Sequence, residues 1–198
     1  AHGGALPDGG GALTSLAEAD RSRLRRPPAG GVRLLSDVTA PLLGPSGAAA
    51  VFGPQKGADR AEVDVLDAGL ARWASVVGRT LVMTDSPSQP EVRSDLTVVP
   101  GAGAAGGTAY GFLAAWGAEI ESGAAAIAAL TGLAAAVASA DLVITGEGRF
   151  DATSVGGKVG GNVLHLADAS RTRAAVIAGS LEASPVTPAG SEVWAVGL

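Results

Sequence analysis

The last third of the chain carries the pattern that most narrows its possible folds. Two short apolar segments, DLVIT (141–145) and AAVIAGS (174–180), bracket a stretch that predicts a helix over 157–169. A third apolar segment, EVWAV (192–196), follows. Strands separated by a helix of this length pair in parallel through a crossover, which is right-handed in nearly all proteins. The pattern therefore predicts an α/β protein with parallel strands, whose ligands sit outside the carboxyl ends of those strands. Such a sheet normally buries both faces. Nothing in the sequence after EVWAV supplies a covering helix, so the segment from Asp141 onward is expected to expose an apolar sheet face, and both ends of the chain read as cut.

Upstream, residues 1–31 are rich in Gly, Pro and charge and read as a connector, with one short helical candidate over Leu13–Ala19. VRLLSD (32–37) predicts a strand ending at Asp37. A helix is expected from Asp59, with Glu62 completing a capping box and Val63, Leu66, Leu70, Trp73 and Val77 on one face. Met83–Asp95 reads as a loop, LTVVP (96–100) as a strand, GAGAAGG (101–107) as the start of a helix reaching Trp116, and Ala124–Ser139 as a second Ala-rich helix.

Composition removes several function classes. Hydrophobic residues make up 47% of the 198 positions and charged residues 17%, enough to bury a sizeable core. A net charge of −5 argues against a nucleic-acid partner, and the basic run Arg21, Arg23, Arg25, Arg26 reads as a solvated connector. The absence of Cys excludes disulfides and thiolate chemistry, and two distant histidines, His2 and His165, make no zinc site. No run of about eighteen apolar residues calls for a membrane, and no signal peptide is visible, so a cytoplasmic location is the expectation. Oligomeric state has no readable signal.

Four segments could carry chemistry. In TGEGRFDATSVGGK (145–158), Gly146 and Gly148 would admit a ligand to the backbone, by lacking a side chain or by adopting a positive φ. Glu147, Arg149 and Asp151 add charge, and Gly156, Gly157 and Lys158 open a helix whose free N–H groups favour an anion. It is not a Walker A loop, because that spacing is absent. GAGAAGG satisfies G-x-G-x-x-G at Gly101, Gly103 and Gly106. Glu121 sits where a ribose-binding acid would be, but AEIESG offers little strand, so close packing or phosphate contact is favoured over a dinucleotide site. Lys56 in FGPQKGA and Lys158 are the two lysines of the chain, each beside a glycine. Asp37, closing a hydrophobic strand, could take a proton from an alcohol or face a metal.

Taken together, DVTAPLLGPSGAAAVFGPQKGA (37–58), PGAGAAGG (100–107), DLVITGEGRFDATSVGGK (141–158) and VIAGS (176–180) closely resemble bacterial-type glycerate kinases. The resemblance implies two α/β domains, one inserted in the other and here incomplete: residues 32–139 as most of the inserted domain and 140–198 as part of the outer, Rossmann-like one. It implies ATP and Mg²⁺ as cofactors, glycerate as the small-molecule substrate, and phosphoglycerate, usually the 2-phosphate, as product. On this basis Asp37, Glu147 and Asp151 are the expected catalytic residues. Glu147 and Asp151 are also the expected Mg²⁺ ligands. Lys56, Gly101, Gly103, Gly146, Gly148, Arg149, Gly157 and Lys158 are expected to bind substrate or phosphate. Where relatives read D-x-D-N-P, this chain has Asp37-Val38-Thr39-Ala40-Pro41, which removes an acid and an amide from that loop. Segments that open family members are absent, so the chain by itself is expected to be inactive. The competing expectations are a ligand-binding fragment without catalysis, or another α/β enzyme acting on an acidic or phosphorylated small molecule.

Overall fold

The computed structural model describes residues 4–82, 95–151, 154, 159–182 and 193–197. It is an α/β structure of two compact units, Ala1–Ile120 and Glu121–Leu198. That division falls before the Ala-rich helices rather than after them at 139/140.

In the first unit the element order is β1 (Arg33–Leu35), α1 (Ala48–Phe52), α2 (Arg60–Val82), α3 (Ala104–Trp116) and β2 (Glu119–Glu121). The short strands β1 and β2 pair. Helix α2 starts as the sequence dictates: the Asp59 amide donates to Glu62 Oε2 and the Glu62 amide to Asp59 Oδ1, both at 2.8 Å. Its apolar face, including Val63, Leu66, Leu70, Trp73 and Val77, packs round a core that holds Leu42, Ala102, Tyr110 and Ala114. Trp73 meets Tyr110 edge to face at 5.1 Å.

Three local expectations for this unit change. The helical candidate over Leu13–Ala19 is a 3-10 helix at Gly10–Ser15. It lies against α2 where Gly69 lets the backbones approach, and the Arg72 Nε donates to the Leu16 carbonyl at 2.7 Å. LTVVP is not a strand. Asp95 Oδ1 accepts from the Thr97 amide at 2.9 Å, and this side-chain bond turns Leu96–Val98 into a 3-10 helix. AEIESG does form a strand, β2, after α3 and ending at Glu121. The segment before the glycine loop is a 3-10 turn, so the strand that must open a dinucleotide-binding unit is not formed.

The second unit contains α4 (Gly123–Leu130), α5 (Leu133–Ala138), β3 (Leu142–Phe150), α6 (Val159–Ser170), β4 (Arg173–Leu181) and β5 (Val193–Gly197). The single Ala-rich helix expected over 124–139 is broken at Thr131-Gly132, where Gly132 is left-handed at φ 68°. The strands run parallel in the order β3-β4-β5, with Thr145 opposite Val176 and Ile177 opposite Val196. Period-two alternation sends Ala174, Val176 and Ala178 into a core with Phe150, Leu164 and Ala167. The opposite face is bare: Ile144 is 61% exposed, Val196 54% and Trp194 44%. This is the uncovered apolar face that the sequence leads one to expect.

Candidate functional site

The largest departure from the sequence reading lies in the glycine-rich segment after DLVIT. It is strand, not loop. β3 continues through Gly146, Glu147, Gly148 and Arg149 to Phe150, with Glu147 opposite Ala178 and Arg149 opposite Ser180. β4 likewise runs past Gly179-Ser180 to Leu181. The carboxyl edge of the sheet is therefore at 150–151 and 181–182, where the Glu182 amide extends the pairing to the Phe150 carbonyl at 2.9 Å.

Gly146 and Gly148 do not have a positive φ, so backbone conformation is not why glycine stands there. Space is the better reason. A Cβ built on Gly148 would meet nothing within 4 Å, and one on Gly146 only the Ile177 carbonyl at 3.8 Å. Both lie on the exposed face, where the bulky Leu142 and Ile144 give way to bare backbone toward the carboxyl end. Gly179 is different, since its Cβ would stand 2.8 Å from the Gly148 oxygen; it permits close strand approach.

The charged residues of this segment hold one another. Arg149 Nε lies 3.2 Å from Asp151 Oδ2, and its Nη1 3.8 Å from Glu182 Oε1, with Arg149 itself 63% exposed. Ser154, fully buried, accepts from the Asp151 amide at 3.1 Å and ties the turn that carries Asp151. Glu147, on the face of β3 opposite Gly146 and Gly148, accepts from the Gly160 amide, 3.2 Å from its Oε1, at the start of α6. The helix N-terminus expected to attract an anion thus already holds a carboxylate of its own chain. A Cβ on Gly160 would lie 2.7 Å from Glu147 Oε1, so a side chain there would make the carboxylate shift.

Those engagements bear on Mg²⁺. Strand rise puts Glu147 and Asp151 about 13 Å apart along the chain, one bonded to a helix and the other ion-paired. No group of three His, Asp or Glu side chains that could hold a metal occurs among the described residues. The pair does not fit a shared magnesium chelate. Gly157 and Lys158 lie outside the described residues, as do residues 83–94 of the loop expected over Met83–Asp95.

In the first unit, Asp37 is exposed two residues beyond β1, on a turn where the Val38 amide donates to Ser36 Oγ at 3.2 Å. Lys56 ends a 3-10 turn, Pro54–Lys56, that Gly57 closes at φ 94°. It borders a cavity of about 630 Å³ with Gly53, Gly57, Asp59, Glu62 and Leu66. A second cavity, about 500 Å³ and lined by Trp73, Gly107, Phe112 and Trp116 among others, has no charged side chain in its wall. Of the two, the Lys56 cavity is the one with a cation for an acidic ligand. Gly101 and Gly103 are buried, with Gly101 at φ 88°. Ser154, Gly160, Glu182 and Asp67, whose Oδ1 accepts from the Gly44 amide at 3.1 Å, were not singled out from sequence. Only Gly160, within VGGN, had a visible local signal.

The sequence model of the glycerate kinase family matches residues 1–196. The chain belongs to this family. It is 39% identical over 182 residues to the glycerate 2-kinase of Escherichia coli, covering 91% of this chain and 45% of that protein. To the glycerate kinase of Bacillus subtilis it is 37% identical over 183 residues, covering 90% and 44%. The crystal structure of a protein assigned as glycerate kinase 2 from Salmonella typhimurium LT2 matches with a TM-score of 0.69 at 37% identity, over 96% of this chain and 47% of that one. The chain therefore spans about half the length of the glycerate kinase relatives it matches. Among the described residues no helix is long and apolar enough to cross a membrane.

Proposed function

We propose that this chain is the part of an ATP-dependent glycerate kinase that carries the acid, lysine and glycine-strand elements of its site. The observation that carries the reading is the family match across residues 1–196, which takes in every segment singled out for chemistry. The Escherichia coli relative is named a glycerate 2-kinase, which supports the 2-hydroxyl as acceptor; the substrate proposed is D-glycerate and the product 2-phosphoglycerate. Phosphoryl transfer asks the protein for positioning and charge neutralisation more than for covalent chemistry.

In this reading ATP supplies the phosphoryl group, and the open backbone of Gly146 and Gly148 with the exposed Arg149 guanidinium would receive its phosphates. Asp37 accepts the proton of the attacking hydroxyl, and Lys56 binds the glycerate carboxylate. Asp151 holds Arg149 in place through their ion pair, and Glu147 fixes the start of α6. Among the described residues the carboxylates build no chelate for Mg²⁺. The substrate is a small soluble acid, consistent with a cytoplasmic enzyme that uses neither nucleic acid nor membrane. Residues 32–139 and 140–198 would belong to the inserted and outer domains of the complete fold.

A chain half the length of its relatives presents at most part of their cleft, and oriented reactants can supply about 7–11 kcal/mol of a barrier. The 198 residues are therefore expected to bind D-glycerate weakly and turn over nothing. Calorimetric titration with D-glycerate and a coupled assay for ADP release test this together. Binding without turnover supports the reading. Robust glycerate-dependent ADP release would show that the cleft has been put in the wrong place, and no binding of either D-glycerate or ATP would sink the assignment of these residues.

A further inference from the structure

The sequence GAGAAGG looks like a ligand loop, yet its first two glycines face protein. An added Cβ at Gly103 would overlap the Pro41 carbonyl oxygen, lie 3.0 Å from the Ala40 oxygen and 3.1 Å from Ala48 Cβ. One at Gly101 would stand 3.0 Å from the Val38 oxygen and 3.1 Å from Ile120. Three of these contacts fall on backbone oxygens of Val38, Ala40 and Pro41, all within four residues of Asp37. The Gly103 amide also donates to the Ala40 carbonyl at 3.0 Å. Farther along the same segment, the Leu42 amide donates to Thr97 at 2.8 Å, the Ala48 amide to Pro41 at 3.1 Å, and the Gly44 amide to Asp67. Leu42, fully buried, anchors the whole to the core.

We propose that Gly101 and Gly103 are positioning residues for Asp37: a backbone socket, set by the absence of two side chains, that fixes where the loop after β1 presents its acid. They touch no ligand. Glycine is required at Gly103 because carbonyl oxygens, which cannot rotate away as a side chain can, occupy the space a Cβ would need, and at Gly101 also because its φ is 88°. The functional consequence rests on the reading of Asp37 as a substrate-facing acid; the socket itself does not.

The test uses the 198-residue chain with ¹³C-labelled aspartate and ¹⁵N-labelled backbone. Gly103→Ala is expected to cost Leu42 its amide-exchange protection and to move the Asp37 carboxyl resonance. The control Gly78→Ala, on α2 with nothing within 4 Å of the added Cβ, is expected to do neither. In the parent, D-glycerate should shift the Asp37 resonance, and in Gly103→Ala that response should be lost. Should Gly103→Ala fail to fold by the fluorescence of Trp73 and Trp116, Gly101→Ala, where the nearest backbone oxygen stands at 3.0 Å, gives the same readouts. Protection at Leu42 retained with an unmoved Asp37 resonance overturns the socket. An Asp37 resonance that answers to Gly103→Ala but not to D-glycerate upholds the socket and overturns the substrate-facing role of Asp37.

Discussion

Two glycine-rich segments of similar appearance, GAGAAGG at 101–107 and TGEG at 145–148, are put to opposite uses. In the first, protein fills the space beside Gly101, Gly103 and Gly107, and Gly101, Gly106 and Gly107 have a positive φ; in the second, the φ is ordinary and the space is left open. Gly103 abuts the Ala40 and Pro41 carbonyls, and Gly107, at φ 94°, would push an added Cβ to 2.8 Å from Leu42. Gly148 lies in a strand where an added Cβ would meet nothing within 4 Å. Glycine content cannot distinguish these cases, because the reason for a missing side chain is held by residues far away in sequence. What distinguishes them is the contact a Cβ would make.

The contrast predicts opposite effects of one substitution. Gly103→Val should destabilise the first unit by about 1–3 kcal/mol or more, as overpacking does, read by urea denaturation of Trp73 and Trp116 fluorescence. Gly148→Val should leave stability within about 0.5 kcal/mol, since a β-branched residue suits an extended strand with room beside it, yet weaken ATP binding by filling the proposed phosphate seat. Equal destabilisation by both would erase the distinction.

Glu147 sharpens the comparison from the other face of the same strand. Glu147→Ala should cost about 1 kcal/mol, the usual worth of an N-terminal acceptor, with the loss confined to the second unit and hydrogen exchange accelerated at the start of α6. An unchanged α6 would mean that its bond to Gly160 contributes nothing and that the carboxylate is available for other work.

The parts of this molecule legible in sequence were those with local causes. The Asp59–Glu62 capping box, the apolar face of α2 and the parallel strands β3, β4 and β5 each follow from residues a few positions apart. LTVVP misled because its apolar run suits a strand, while Asp95 ahead of it and the Thr97–Leu42 bond decide for a 3-10 turn. The extension of β3 through Gly146–Phe150 was hidden because glycines and charges read as loop, although pairing with β4 carries them. The Gly44–Asp67 bond joins residues 23 apart and leaves no periodic trace. For the candidate site the residue types were readable, but their roles depended on these distant contacts.

A smaller effect tests the approach to the buried glycine loop. Hydrogen bonds from the Thr97 side chain and then its amide hold the Asp95 carboxyl below its ordinary value of 3.8. A lowered folded-state pKa contributes stability that is complete above the unfolded value and is lost as pH falls through the folded one. The turn at Leu96–Val98 should therefore be insensitive to pH above about 5 and loosen only below about 4. An NMR titration of Asp95 with its midpoint at or above 3.8 would contradict this.

The most direct measurement is an ATP titration of the ¹⁵N-labelled chain, followed at both glycine-rich segments. Amide shifts at Gly146, Gly148 and Arg149 with 101–107 unmoved are the predicted result. Shifts centred on Gly101–Gly107, with the β3 glycines silent, would contradict it.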